Sequence, residues 1–186
     1  TYMLGLKPWE HEYKVMGLAP YSENKFALEI KKILDELLKV SKDGFNFELG
    51  SEHESSYIYE FLREKFECKR FDAIAGGVQS FTEEILRTWV GGIIKKTGIK
   101  RVVCGGGVFM NVKANKIISE IDGLEELFIF PSCGDESLSL GAAWIEYSEL
   151  LKQKEELKPI VSLNNLYLGG LCYEGEIEKI ICKHIN

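Results

Sequence analysis

The sequence lacks clustered positive charge. No run of Lys or Arg exceeds a pair, and the formal net charge is −6. Nucleic acid and anionic membrane surfaces are held by clustered cations, so this pattern argues against both as partners. No apolar stretch approaches the ~20 residues that span a bilayer. No C-x-x-C pair is present, and the five cysteines (Cys68, Cys104, Cys133, Cys172 and Cys182) are scattered and odd in number. That spacing disfavours a structural zinc site. Several cysteines lie in apolar runs, where a reduced thiol behaves as a small core residue. A reducing, cytoplasmic location fits this usage best. The chain starts Thr1-Tyr2-Met3, which is neither an initiator Met nor a secretory signal, so it reads as starting inside a longer protein. There is no G-x-S-x-G elbow and no H-E-x-x-H pair.

What is present is an ordinary globular composition. Of 186 residues, 45% are hydrophobic and 28% charged, enough for one domain with a sizeable core or one large fragment. Residues 1–24 show no sustained periodicity and read as loop and short turns. Residues 25–39 carry the stripe Phe26, Ile30, Ile33, Leu34, Leu37 and Leu38, which predicts a helix capped by Ser22 or Asn24. Phe45, Phe47 and Leu49 alternate after the Asp43-Gly44 turn and predict a strand. A helix is expected from about Ser55 to Phe66. The longest helix is expected over 71–97, where Ile74, Val78, Phe81, Ile85, Trp89 and Ile93 recur at three- or four-residue steps. Gly76-Gly77 inside it costs roughly 1 kcal/mol per Gly against Ala, and close helix–helix approach is the preferred explanation.

Beyond residue 100 the pattern changes. Arg101–Cys104 reads as a strand, 105–107 as a glycine turn and 111–121 as a helix. Leu127–Phe130 reads as a buried strand, 131–136 as a polar turn and 137–154 as a helix with Leu140, Ala143, Trp144, Tyr147 and Leu151 on one face. Strand–loop–helix, twice over, implies an α/β fold with parallel strands and helical crossovers. Residues 152–158 read as a solvated helix end and linker, and the tail from Leu166 as the start of a following domain.

Three segments carry candidate chemistry. Gly105-Gly106-Gly107, ahead of Asn111, lets a ligand approach the backbone and the start of the next helix, which suits a nucleotide. The turn has neither the Gly-Lys-Ser/Thr ending of a P-loop nor the third glycine of a Rossmann fingerprint, whose place Met110 takes. A purely structural turn is the alternative. The second segment is Pro131 to Ser137. Loops at the carboxyl ends of parallel strands converge on one cleft, so Asn111 and Asp135 can face one ligand. Asp135 can hold a divalent cation, Mg²⁺, Mn²⁺ or iron; equally, Asp135 or Glu136 can simply cap the helix. The third segment runs from Glu10 to Tyr21. Its Lys14 can neutralise a phosphate, or it is an ordinary surface lysine. His11 has no ligand-spaced partner.

These segments resemble the O-carbamoyltransferase family of nodulation-factor and antibiotic biosynthesis (the NodU and TobZ type). The matching blocks are His11 to Tyr21 (HEYKVMGLAPY), Gly106 to Asn115 (GGVFMNVKAN), and Pro131 through Asp135 to Gly141-Ala142-Ala143. The resemblance implies an actin/Hsp70-like ATPase fold. Residues 1–158 would be the second lobe of its ATP-binding domain, and 159–186 a linker with the start of a C-terminal, YrdC-like transfer domain. It implies ATP and a divalent metal as cofactors, carbamoyl phosphate as donor and a hydroxyl acceptor. Carbamoyl-adenylate would be the intermediate, with pyrophosphate and phosphate released. Gly105, Gly106, Gly107 and Asn111 would meet the nucleotide, Asp135 the metal, and Lys14 the phosphates. Ser137 departs from the family, which has glycine after the metal-binding Asp. The family's H-x-x-x-H histidines are absent and would precede Thr1, so the 186 residues alone are expected to transfer little or no carbamoyl. A hydrogenase-maturation carbamoyltransferase and a non-catalytic ATP-binding module of the same superfamily remain as alternatives.

Overall fold

The computed structural model describes residues 1–50, 57–153 and 174–184. It forms two compact units, Thr1–Ser137 and Leu138–Asn186. The first holds helices α1 (Glu12–Leu18), α2 (Asn24–Leu37), α3 (Ile58–Phe66), α4 (Phe71–Thr97) and α5 (Val112–Ser119). It also holds strands β1 (Leu38–Val40), β2 (Phe47–Leu49), β3 (Arg101–Cys104) and β4 (Glu126–Ile129). The second unit holds α6 (Leu138–Gln153) and α7 (Glu174–His184). The expected boundary at 158/159, the start of α3 at 55–56 and the block Leu166–Gly170 lie outside the described residues.

α4 is the axis of the first unit. Its length, Phe71 to Thr97, is the one the apolar repeat predicts, and it ends on Gly98 at φ 70°, a left-handed cap that favours glycine. One core joins α2, α3 and the start of α4 through Ile30, Leu34, Leu37, Phe66, Ala73 and Ile74. A second core joins the later turns of α4 to β3, the glycine turn and α5 through Leu86, Val90, Ile94, Cys104, Phe109, Ala114, Ile118 and Cys133. Two of the cysteines are thus buried as free thiols. Burial also pushes the Cys104 thiol up, as expected of an inert core position.

The Gly76-Gly77 pair sits where α2 crosses α4. A Cβ built on Gly77 would lie 2.4 Å from Ile30 Cβ, and one on Gly76 would lie 2.5 Å from Ser22 Cβ. The close-approach explanation therefore holds. Lys31 of α2 spans the same crossing, 2.6 Å from Asp35 and 3.1 Å from Glu84. Burial works against its ammonium, but the hydrogen bonds it donates to these two carboxylates outweigh it and raise Lys31.

Four local expectations are corrected. Residues 12–18 are helical, not loop: α1 buries Val15, and Ala19 is buried in the 3₁₀ turn that follows. One seven-residue helix is too short to display a repeat. α2 ends at Leu37, and residues 38–40 become β1, which pairs antiparallel with β2 in the register Leu38↔Leu49. The N-cap of α2 is Glu23, with no side-chain cap bond; the Ser22 hydroxyl donates instead to the Glu23 carbonyl. Finally, β4 is half-exposed rather than buried, because β3 and β4 form a sheet of two strands covered on one face. Val102, Leu127 and Ile129 pack on the core, while Val103 is 76% and Phe128 52% exposed.

The hairpin between β1 and β2 is tied by polar side chains. The Ser41 hydroxyl donates to Asp43 and accepts from the Asn46 N–H, and its oxygen lies 2.9 Å from the Asn46 carbonyl. The Trp89 indole N–H reaches the Phe45 carbonyl at 2.9 Å, so the turn docks on α4.

In the second unit, α6 covers the expected 137–154 helix and α7 spans Glu174–His184. Leu140, Tyr147 and Leu151 of the expected stripe are half-buried, and Ala143 and Trp144 are exposed.

Candidate functional site

β3 and β4 run parallel, with Cys104 opposite Ile129, so their carboxyl ends finish side by side. The chain leaves β3 into Gly105–Gly107 and leaves β4 into Pro131–Ser137. The α/β reading predicts that these loops meet, and they do. The Gly106 N–H donates to the Cys133 carbonyl at 2.8 Å. The Met110 methyl lies where a Cβ on Gly134 would stand, 2.5 Å away.

The glycine turn is shaped by one conformation and one anchor. Gly106 has φ 113° and ψ 151°, a combination that side chains disfavour strongly. The anchor is Phe109, buried at 6% exposure in the second core. Between them a 3₁₀ turn runs over Gly107–Met110. Gly105, Gly106 and Gly107 are exposed, and a Cβ on any of them would meet no atom within 4 Å. The open side of the turn therefore faces free space.

Asn111 is the N-cap of α5. Its Oδ1 accepts from the Ala114 N–H at 3.1 Å, the bond this residue type is selected for at helix starts. The same side chain pairs with Gln79 of α4. Asn111 Nδ2 donates to Gln79 Oε1 at 2.8 Å, and Gln79 Nε2 donates to Asn111 Oδ1 at 3.1 Å. Gln79 Nε2 also donates to Glu83 Oε1 at 2.7 Å. Asn115, one turn on, donates from Nδ2 to the Phe109 carbonyl at 2.6 Å. Gln79 and Glu83 were not among the sequence candidates. The signal was available: Gln79 occupies a buried position in an apolar helix, where a polar residue requires a partner.

In the second loop the two adjacent carboxylates differ. Glu136 is engaged: Ser132 Oγ donates to it at 2.8 Å. Its own backbone N–H, the Ser132 hydroxyl and the Gly134 N–H hold its carboxyl below the usual glutamate range. Asp135 is exposed, and its carboxylate makes no hydrogen bond or ion pair among the described residues. Ser137 donates from Oγ and from its backbone N–H to the Gly134 carbonyl.

Lys14 is carried by neither loop. It lies on α1, half-buried, with its ammonium 5.7 Å from the centroid of the Tyr13 ring. It makes no ion pair among the described residues. His11 occupies the N-cap position of α1 without a side-chain cap bond; its Nδ1 accepts instead from the N–H of Lys7, which precedes the helix, at 3.0 Å. Among the described residues, no three His, Cys, Asp or Glu side chains converge as a metal cage. No described helix is long and apolar enough to cross a membrane.

The chain is 28% identical over 192 residues to the uncharacterized protein sll1178 of Synechocystis sp., covering 96% of this chain and 31% of that protein. Two uncharacterized proteins of Methanocaldococcus jannaschii, MJ1058 and MJ1051, are each 29% identical, over 98% and 97% of this chain and 29% and 33% of their own lengths. The chain thus spans about a third of the curated relatives it matches. Residues 1–144, a stretch that includes both glycine loops and Lys14, match the family described as the carbamoyltransferase N-terminus, and the chain belongs to that family.

Proposed function

We propose that this chain is the nucleotide-binding lobe, of actin/Hsp70-like type, of an ATP-dependent carbamoyltransferase. The parent enzyme would form carbamoyl-adenylate from ATP and carbamoyl phosphate and pass the carbamoyl group to an acceptor hydroxyl. One observation carries the reading. Two glycine-bearing loops meet at the carboxyl ends of parallel strands, with open space over Gly105–Gly107, inside a carbamoyltransferase-family segment.

The loops suit a nucleotide phosphate for a simple reason. By helix geometry, Val112 N–H and Lys113 N–H have no intrahelical acceptor, and the dipole of α5 adds partial positive charge there. Side chains are missing where a phosphate would have to approach the backbone. Asn111 contributes by fixing the helix start, since its Oδ1 is already occupied by two donors.

A divalent metal fits in one form only. Mg²⁺ is commonly held by one or two carboxylates together with substrate phosphates, and Asp135 offers one exposed carboxylate in the loop that meets the turn. A cage made from protein side chains alone needs ligands that the described residues do not assemble. Bound with the nucleotide, the ion would neutralise phosphate charge; Lys14 would do the same with its ammonium if the parent enzyme closes over α1.

The test uses the full-length parent protein. ATP binding is measured first, then pyrophosphate release with and without carbamoyl phosphate. Release that requires carbamoyl phosphate is expected. ATP binding with no such release would refute the adenylate reading and leave a regulatory ATP-binding module.

A further inference from the structure

We propose that Gln79 is a positioning residue for the glycine turn, acting through the side chain of Asn111. The inference rests on the nucleotide reading of that turn, and its geometry stands independently of it. Buried polar residues are few: Ser41, Asp72 and Gln79 among the described residues. Ser41 builds the hairpin turn, and Asp72 pairs with Arg70 two residues away. Gln79 instead reaches 32 residues along the chain, to the residue that starts α5.

The bonds run in a fixed order. A carboxylate oxygen only accepts, so Glu83 turns the Gln79 NH₂ toward itself. That NH₂ also donates to Asn111 Oδ1, which leaves Gln79 Oε1 to accept from Asn111 Nδ2. The orientation of the Asn111 amide is then decided, with Oδ1 aimed at the Ala114 N–H. Each side chain in the sequence Glu83, Gln79, Asn111 thus selects the amide orientation of the next.

The turn has other supports, and they differ in kind. Phe109 anchors it by burial, Asn115 holds its carbonyl from within α5, and Gly106 ties it to the second loop. Among the described residues, Gln79 alone joins the end of the turn to α4 by side-chain hydrogen bonds. An apolar residue at 79 would fill the volume but leave the Asn111 amide free to rotate away from its cap.

The experiment uses the full-length protein with Gln79→Met, which keeps the volume and removes the amide. Asn111→Ala and the double variant accompany it. Ile74→Ala, in the other core, is the control for lost stability alone. Amide hydrogen exchange is followed over residues 106–115, and KM for Mg·ATP and kcat are measured for pyrophosphate release. Gln79→Met is expected to speed exchange over 106–115 about 10-fold and raise KM about 10-fold, with kcat within about twofold. The double variant should be no worse than Asn111→Ala, because the two act through one bond pair. Ile74→Ala should lower stability and move neither readout. The proposal is overturned if Gln79→Met merely lowers stability, with wild-type exchange and KM. If the wild-type protein binds no ATP, the nucleotide reading falls, and the exchange comparison alone decides the role of Gln79.

Discussion

Alanine at Gly77 should destabilise the protein, although alanine is the better helix former. The added Cβ would stand 2.4 Å from Ile30 Cβ, 2.5 Å from Ile30 Cγ2 and 2.8 Å from the Ala27 carbonyl oxygen. Optimal carbon–carbon separation is about 3.5–4.0 Å, so the overlap exceeds about 1 Å. Two of the three obstructing atoms, a Cβ and a carbonyl oxygen, move only with the backbone. α2 must therefore shift off α4, carrying fully buried Ile30 with it. Overpacking of this kind costs about 1–3 kcal/mol, and the rigid obstruction places Gly77 at the upper end. Against this, replacing glycine in a helix interior gains about 1 kcal/mol. The expected net loss is about 2 kcal/mol, or about 4–8 °C in Tm at this chain length. Gly91 lies on the same helix with the opposite prognosis. Its Cβ would sit 3.7 Å from Ile121 Cγ2, an ordinary contact, so Gly91→Ala should gain up to about 1 kcal/mol. Urea denaturation of both variants, with the m-value checked for constancy, reads the two signs. Stabilisation by Gly77→Ala would refute the close-approach argument. Adding Ile30→Ala should not rescue Gly77→Ala, because the clash is with the Cβ that alanine retains.

Other outcomes follow from the loops and the hairpin. Gly106→Ala should cost about 1–3 kcal/mol by denaturation, since its backbone conformation excludes a side chain. Gly107→Ala meets no atom within 4 Å, so stability should hold while calorimetric ATP affinity in the parent enzyme falls at least about 10-fold. Unchanged affinity would remove the glycine turn from the nucleotide site. Asp135→Ala should abolish metal-dependent ATP turnover and leave the thermal transition in place; retained turnover would leave Asp135 without a metal role. The Ser41 hydroxyl first, then the Phe45 N–H, hold the Asp43 carboxyl below its usual range. A depressed carboxyl stabilises above its unfolded value of about 3.9 and loses that contribution as pH falls through its folded value. With Trp9 and Trp144 replaced by Phe, Trp89 emission should report hairpin loosening below about pH 4, and Asp43→Asn should remove most of that pH response.

The fold was legible wherever one element alone determines its pattern. α4 shows several full apolar turns, and its bounds emerge from the sequence without help. β3, α5 and β4 are legible because glycine turns punctuate them. β1 was not, because Leu38-Lys39-Val40 continues the apolar stripe of α2. Its strand state comes from pairing with Phe47–Leu49, a contact made after the turn. Exposure on β4 was equally out of reach. An alternating or continuous apolar run says that a strand can be buried, while the number of layers packed on it says whether it is.

The candidate site divides along the same line. Glycine positions are visible in a sequence because their constraint is local: Gly106 needs its φ whatever surrounds it. Asn111 is visible as a helix cap for the same reason. What the sequence hides is which polar side chains the cap recruits, since Gln79 is remote along the chain and adjacent in space. That also changes how Asn111 should be understood. A residue whose carbonyl oxygen already accepts from Ala114 and Gln79 is poorly placed to accept from a nucleotide, and a substitution there would lower affinity by unfastening the turn. Loss of binding in Asn111→Ala would therefore not identify a direct contact. Amide exchange over residues 106–115 without ligand makes the distinction: Asn111→Ala speeds it if the side chain shapes the backbone the ligand touches, and leaves it unchanged if the side chain only touches the ligand.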